Sequence, residues 1–214
     1  MELPEKIIFH LITTCFMHSF IFATNNQHKV AEIRSILENR FDIISLKDAG
    51  IHIDIPEPHN TLHENATEKS STIFRLTGKD CFSEDTGLEV EALNGEPGVK
   101  SARYAGDDGN FTNNINKLLN ELGTHSNRKA RFRTVISLIL DGKEFLFEGI
   151  CNGTITETTS GIGGFGYDPV FIPDGSNKTF AEMSMEEKNS FSHRKKATAL
   201  LVAFLNERYG QDKN

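Results

Sequence analysis

The sequence predicts an α/β fold in which a mixed sheet is covered by helices. Three observations carry that expectation. Strand and helix signals alternate along all 214 residues without a low-complexity linker or an internal repeat. Residues 19–37 read as a strand, a polar loop and a helix in succession. Residues 131–156 read as one long hairpin, turned at Asp141-Gly142.

The elements follow in order. Residues 19–23 form a buried strand, residues 24–28 a polar loop, and residues 29–37 a helix whose Val30, Ile33 and Leu37 share one face. Thr61-Leu62-His63-Glu64 has capping-box spacing, so a second helix starts there and runs toward Leu76, where Gly78 stops it. Residues 80–84 return as a strand, and residues 110–122 make a helix. Phe132, Thr134, Ile136, Leu138 and Leu140 alternate onto one face of the first hairpin strand, and residues 144–156 form its partner. The glycine-rich loop 163–169 leads into a strand at 169–172, and residues 192–209 close the chain as a helix with Ala197, Leu200, Leu201 and Phe204 facing inward.

Composition excludes several classes. A formal charge of -7 argues against general nucleic-acid binding, which needs a basic surface, so any basic site is local. Cys15, Cys81 and Cys151 lie far apart with no C-x-x-C pair, giving neither a disulfide framework nor a zinc signature and fitting a reduced cytoplasm. The apolar run at 7–22 is interrupted by His10 and His18, is too short to span a bilayer and lacks a cleavage site, so no membrane role is expected. A start at Met17 would open a domain at 17–209, with residues 1–16 an N-terminal extension and 210–214 a tail.

Five polar constellations stand out. Thr24-Asn25-Asn26-Gln27-His28-Lys29 follows a strand and opens a helix, which suits either phosphate binding or an ordinary Asn-capped N-terminus. Glu57, held between Pro56 and Pro58, and Lys69, on the second turn of its helix, each read alone as surface charges. Glu84-Asp85-Thr86 puts two acids and a hydroxyl at the end of a strand. Neighbouring strand residues face opposite ways, so one acid reaches the cleft, to hold Mg²⁺, to take a proton from water, or to cap a turn. Residues 188–196 gather Lys188, Arg194, Lys195 and Lys196 around His193, a patch sized for a nucleotide phosphate or a solvated helix face. Gly163-Gly164-Phe165-Gly166-Tyr167-Asp168-Pro169 holds an aromatic and an acid in a glycine-rich backbone, as a ligand loop or a tight connection.

In this order the segments resemble the inosine triphosphate pyrophosphatase family, from about Phe20 to Leu205. The resemblance rests on Thr24-x-Asn26-x-x-Lys29, Glu64-Asn65-Ala66-x-x-Lys69, Asp85-Thr86-Gly87-Leu88, the run from Pro97 through Ser101-Ala102-Arg103-Tyr104-Ala105-Gly106, Gly164-Phe165-Gly166-Tyr167-Asp168-Pro169 and Ser192-His193-Arg194. It implies an elongated mixed sheet with two lobes around a central nucleotide-binding cleft, a homodimer, and hydrolysis of dITP, ITP and XTP to the monophosphate and pyrophosphate. Thr24, Asn26, Lys29, Lys69 and Thr86 would hold the triphosphate, with Lys188 reaching it from across the cleft and Asn25, Gln27 and His28 counted in the same substrate-binding segment. Glu57 and Asp85 would anchor Mg²⁺, and Asp85 would deprotonate the attacking water. Phe165 would stack on the purine, flanked by Gly166 and Tyr167. Asp168 would accept from a ring N–H, and His193 and Arg194 would donate to the 6-oxo group. Glu84, where many relatives carry a second Asp, and Lys100, where an apolar or aromatic residue is common, depart from the pattern. A related Maf-like pyrophosphatase acting on pyrimidine or modified nucleotides, and a nucleotide sensor without turnover, are the competing readings.

Overall fold

The computed structural model describes residues 18–37, 40–106 and 108–209. The expected extension at 1–16 and tail at 210–214 lie outside the described residues. Seven strands form one mixed sheet: β1 (Ser19–Phe22), β2 (Asp42–Ser45), β3 (Cys81–Val90), β4 (Pro97–Gly98), β5 (Lys129–Leu140), β6 (Lys143–Ile155) and β7 (Phe171–Pro173). The order is β2-β1-β3-β5-β6-β7, with the short β4 also paired to β3. β1 runs parallel to β2 and β3, and the remaining pairs are antiparallel. The helices are α1 (Gln27–Leu37), α2 (Leu62–Thr77), α3 (Phe111–Leu122), α4 (Met185–Phe191) and α5 (His193–Tyr209).

Local chemistry explains the boundaries. The Thr61 side chain accepts from the Glu64 N–H and caps α2, and Gly78 ends the helix in the left-handed conformation at φ 64°. Asn110 caps α3 in the same way through the Asn113 N–H. Asp141-Gly142 turns β5 into β6, with both residues at positive φ. Several elements differ from expectation: β2 and α4 have no counterpart in it, and Leu200 of α5, expected to face inward, is 51% exposed. β3 runs on to Val90, and β5 is buried on both faces from Thr134 to Leu140 because α2 covers one side and α5 the other. The alternation in β5 therefore marked only one of two buried faces.

Two main cores lie along the sheet. The first gathers Phe20, Phe22, Ile33, Phe82, Leu138 and Leu201; the second gathers Leu88, Val90, Leu118, Phe132, Val170 and Phe171. β3 contributes Phe82 to the first and Leu88 to the second. Between them it carries Ser83, Glu84, Asp85 and Thr86, three of which are buried polar residues. Burying such groups is costly unless they are paired, so this polar waist marks where the site lies.

Candidate active site

The cleft opens at an unpaired stretch of β3. β1 pairs with β3 only at Cys81 and Phe82, and β4 pairs only at Leu88 and Glu89, which leaves residues 83–87 without a strand partner on that edge. Side chains from both faces of the strand can then wrap around it, so Asp85 and Thr86, though adjacent, line the same cleft. Glu84 does not line it and points toward α1 and α5.

One end of the cleft is an acid and cation cluster. The Lys69 ammonium donates to Glu57 Oε1 at 2.5 Å and to Asp85 Oδ1 at 2.8 Å, and Arg103 donates to Glu57 Oε2 at 3.1 Å. The two carboxylates differ in character. Burial pushes the Asp85 pKa above its ordinary value despite Lys69 and Lys29, and the nearby Glu57 charge adds to the rise. For Glu57 burial also opposes ionisation, but Lys69, Lys29 and Arg103 outweigh it and hold the pKa low. A pair pushed apart in this way suits one acid to remain a fixed charge and the other to exchange a proton. The same two carboxylates, sharing one ammonium, form a donor set that fits Mg²⁺, which binds through one or two carboxylates and completes its shell with phosphate oxygens and water. Among the described residues no group of three or more His, Cys, Asp or Glu could hold a metal unaided.

The other end is aromatic. Phe165 stacks with His28 at 5.2 Å between ring centroids, and the Lys188 ammonium and Arg194 guanidinium lie 5.1 and 5.6 Å from its centroid. Asp168 accepts the Phe165 N–H at 2.8 Å and the Lys188 ammonium at 2.7 Å. Burial raises its pKa, while Lys188 counters. Gly164 makes this loop possible: its φ is +73°, and a Cβ there would stand 2.1 Å from Asp168 Oδ2. His193 is buried and stacked on Phe132 at 4.7 Å, and burial drives its pKa well down, so the ring is neutral. Its Nδ1 is the one buried side-chain polar atom without a hydrogen-bond partner among the described residues.

An ion network beneath the cleft joins the ends. Glu84, 1% exposed, accepts Arg194 Nε at 2.7 Å and Nη2 at 2.8 Å, and pairs with Lys29 at 3.1 Å. Glu32 bridges Lys188, at 2.7 Å, and Arg194 Nη1. With Thr86 at 3.5 Å from Nη2, these contacts leave one Nη1 hydrogen of Arg194 uncommitted. Gly149 on β6 lets the first turn of α5 sit against the sheet, since a Cβ there would stand 2.1 Å from the His193 carbonyl oxygen.

Several of the expected site residues have partners within the protein. Lys188 bonds Asp168 and Glu32 at the aromatic end, away from the Lys69 cluster. Lys69 is engaged by the two acids. In the 24–29 segment, Asn26 Oδ1 accepts the His28 and Lys29 N–H groups and Thr24 Oγ1 accepts that of Asn26, so the helix start carries its own cap. Asn25 braces the loop through Ile53 O, and Gln27 is exposed. Tyr167 donates to Ser101 O at 2.9 Å, tying the aromatic loop to the 97–106 run, while Gly166 lines the cleft.

A sequence model of the Ham1 family matches residues 20–204. The chain belongs to the Ham1 family. Relatives in the Ham1 family include proteins named dITP/XTP pyrophosphatase from Flavobacterium johnsoniae, 51% identical over 86% of this chain and 96% of the relative, and from Porphyromonas gingivalis, 52% identical over 88% and 98%. The Staphylococcus aureus Ham1 protein superposes with a TM-score of 0.81 at 40% identity, covering 89% of this chain and 99% of that one. A Mycobacterium abscessus structure titled nucleoside-triphosphatase / dITP/XTP pyrophosphatase gives 0.70 at 37% identity, covering 86% and 98%.

Glu32 and Arg103 are among the site residues of this Ham1 chain to which the motifs assign no role. Glu32, 4% exposed, holds both cations beside Phe165, and Arg103 holds Glu57. Glu32 lies three residues after Lys29 on the buried face of α1, an acid among apolar positions, and that was its one visible signal. Arg103 lies within the Ser101-Ala102-Arg103-Tyr104-Ala105-Gly106 run, which gives no local sign of its partner.

Proposed function

We propose that the protein hydrolyses non-standard purine nucleoside triphosphates, dITP, ITP, XTP and dXTP, to the monophosphate and pyrophosphate, and so removes them from the nucleotide pool. The observation that carries this reading is one cleft with the Glu57, Asp85 and Lys69 cluster at one end and, at the other, the Phe165 ring beside the Arg194 guanidinium. The relatives' names favour this substrate class over pyrimidine nucleotides or a silent sensor.

In the mechanism, Lys29 and Lys69 with Arg103 supply positive charge for the triphosphate, and Thr24, Asn26 and Thr86 add polar contacts along the cleft edge. Asp85 takes the proton of a water that attacks the α-phosphorus in line. The new P–O bond forms as the bond to the bridging oxygen breaks, and pyrophosphate leaves with that electron pair. Mg²⁺, held by Glu57 and Asp85 when bound, would neutralise charge developing on the phosphate oxygens. Phe165 carries the base, with Gly166 and Tyr167 shaping its loop. The uncommitted Arg194 hydrogen is a donor that can never become an acceptor, so it favours a 6-oxo group over a 6-amino group. Asp168 holds Lys188 and the Phe165 backbone in place and retains a lone pair for a ring N–H. Lys188 is then part of the base end, and its charge balances Asp168 and Glu32.

The reading extends to a homodimer in the cytoplasm. Buried free Cys81 and Cys151 suit a reducing compartment, and among the described residues no helix is long and apolar enough to cross a membrane. The deciding assay incubates the protein with Mg²⁺ and dITP, XTP, dATP, dGTP, dTTP or UTP, and measures pyrophosphate apart from orthophosphate. Pyrophosphate from dITP and XTP is the expected result; turnover of pyrimidines alone, or orthophosphate release, overturns the reading.

A further inference from the structure

His28 belongs to the segment expected at the phosphates, yet its ring lies elsewhere. It stacks on Phe165 with an interplanar angle of 14° and 5.2 Å between centroids, joining α1, which packs into the first core, to the aromatic loop beside the second. The cleft that Phe165 lines encloses only about 120 Å³, against roughly 300 Å³ or more for a small-molecule site, so a bound purine needs further room, which parting the Phe165 and His28 rings would supply. A planar base slotted between them needs roughly 7 Å, twice the ~3.5 Å contact distance of carbon atoms, which is an opening of about 2 Å. Near-parallel rings are what such a slot requires. Phe111, 41% exposed and 6.3 Å from Phe165 at a 49° tilt, walls the slot on a further side. The His28 backbone is fixed by the Asn26 cap at 3.0 Å, so the ring stays on this rim while its side chain adjusts.

We propose that His28 is the second stacking wall of the base pocket, so that the purine is held between His28 and Phe165. The proposal rests on the purine triphosphate reading and adds a base contact from a segment that otherwise serves phosphate. Stacking is sequence-tolerant binding energy made equally in the ground and transition states, so it should appear in KM and not in kcat.

The test measures pyrophosphate release from dITP for the full chain, His28→Ala and His28→Phe, together with competitive inhibition by inorganic tripolyphosphate, which has no base. His28→Ala is expected to raise KM about tenfold with kcat within about twofold, while the inhibition constant of tripolyphosphate stays put. His28→Phe should restore KM. An unchanged or lowered KM in His28→Ala, a parallel loss of tripolyphosphate binding, or failure of phenylalanine to restore KM overturns the proposal. The side chain is exposed, so neither substitution disturbs the core. Absent turnover of dITP by the unsubstituted chain would remove the functional reading and this inference together; normal turnover with an unmoved KM would remove this inference alone.

Discussion

Asp85→Asn separates catalysis from folding at a single atom. Asp85 is 6% exposed, shares the Lys69 ammonium with Glu57 and has its pKa raised chiefly by burial. The substitution removes the base but leaves an amide oxygen to accept from Lys69, and Glu57 still balances that cation. Loss of a general base costs about 10²- to 10⁴-fold in rate, or roughly 3–5 kcal/mol of transition-state stabilisation, so kcat should fall by at least 10²-fold while nucleotide affinity is largely kept. Stability should move the other way. Because the folded pKa lies above the unfolded one, the unfolded chain gives up the Asp85 proton first. Wild-type stability therefore declines as pH rises from the ordinary carboxylate value, about 4, through the raised folded pKa, and stays lower above it. The variant has no such decline. Denaturant unfolding across pH should show Asp85→Asn equal to or more stable than wild type at neutral pH, with the gap closing toward pH 4. Retained turnover would refute the base assignment, and a variant less stable at neutral pH by more than about 1 kcal/mol would refute the electrostatic account.

Glu84→Gln should do the reverse. Burial opposes ionisation of Glu84, but Arg194 and Lys29 outweigh it and hold the carboxyl far below the usual range. Its contribution is therefore present at neutral pH and lost only as pH falls through that low folded value. Neutralising it takes the bidentate carboxylate from Arg194, which keeps Glu32, and takes the ion pair from Lys29, at a cost of about 3 kcal/mol, read as a Tm lower by roughly 6–12 °C. Phe165→Ala should raise KM for dITP more than it lowers kcat, in steady-state pyrophosphate release. Glu57→Gln should raise the Mg²⁺ concentration needed for half-maximal rate, seen in a metal titration at saturating dITP, because it removes the acid that stays ionised.

Much of the fold was legible because its signals are local. The Thr61 cap, the Gly78 stop and the Asp141-Gly142 turn act within four residues, and all three stand where the residue types put them. β2 was missed because four residues show no period. α4 was not expected, although Ser184 and Glu187 have the spacing of a cap, and the Ser184 side chain does accept the Glu187 N–H. The pairings inside the site could not be read at all. Arg194 meets Glu84 across 110 positions and Glu32 across 162, and no local pattern encodes such a meeting. The resemblance named the residues around the cleft; only the fold reveals that Lys69 and Glu32 are each shared between two partners.

The polar waist of β3 bears on how the molecule comes apart. Its two cores are not beads on a linker, because β3 and β5 run unbroken from one to the other, and β5 is laddered to β3 through ten paired positions and to β6 through twelve. Neither lobe can melt without tearing the ladder that the other lobe uses. The chain should therefore unfold as one cooperative unit despite its two hydrophobic centres, and parting of the cleft must be a twist spread along three strands, limited in amplitude by the stiffness of the sheet itself.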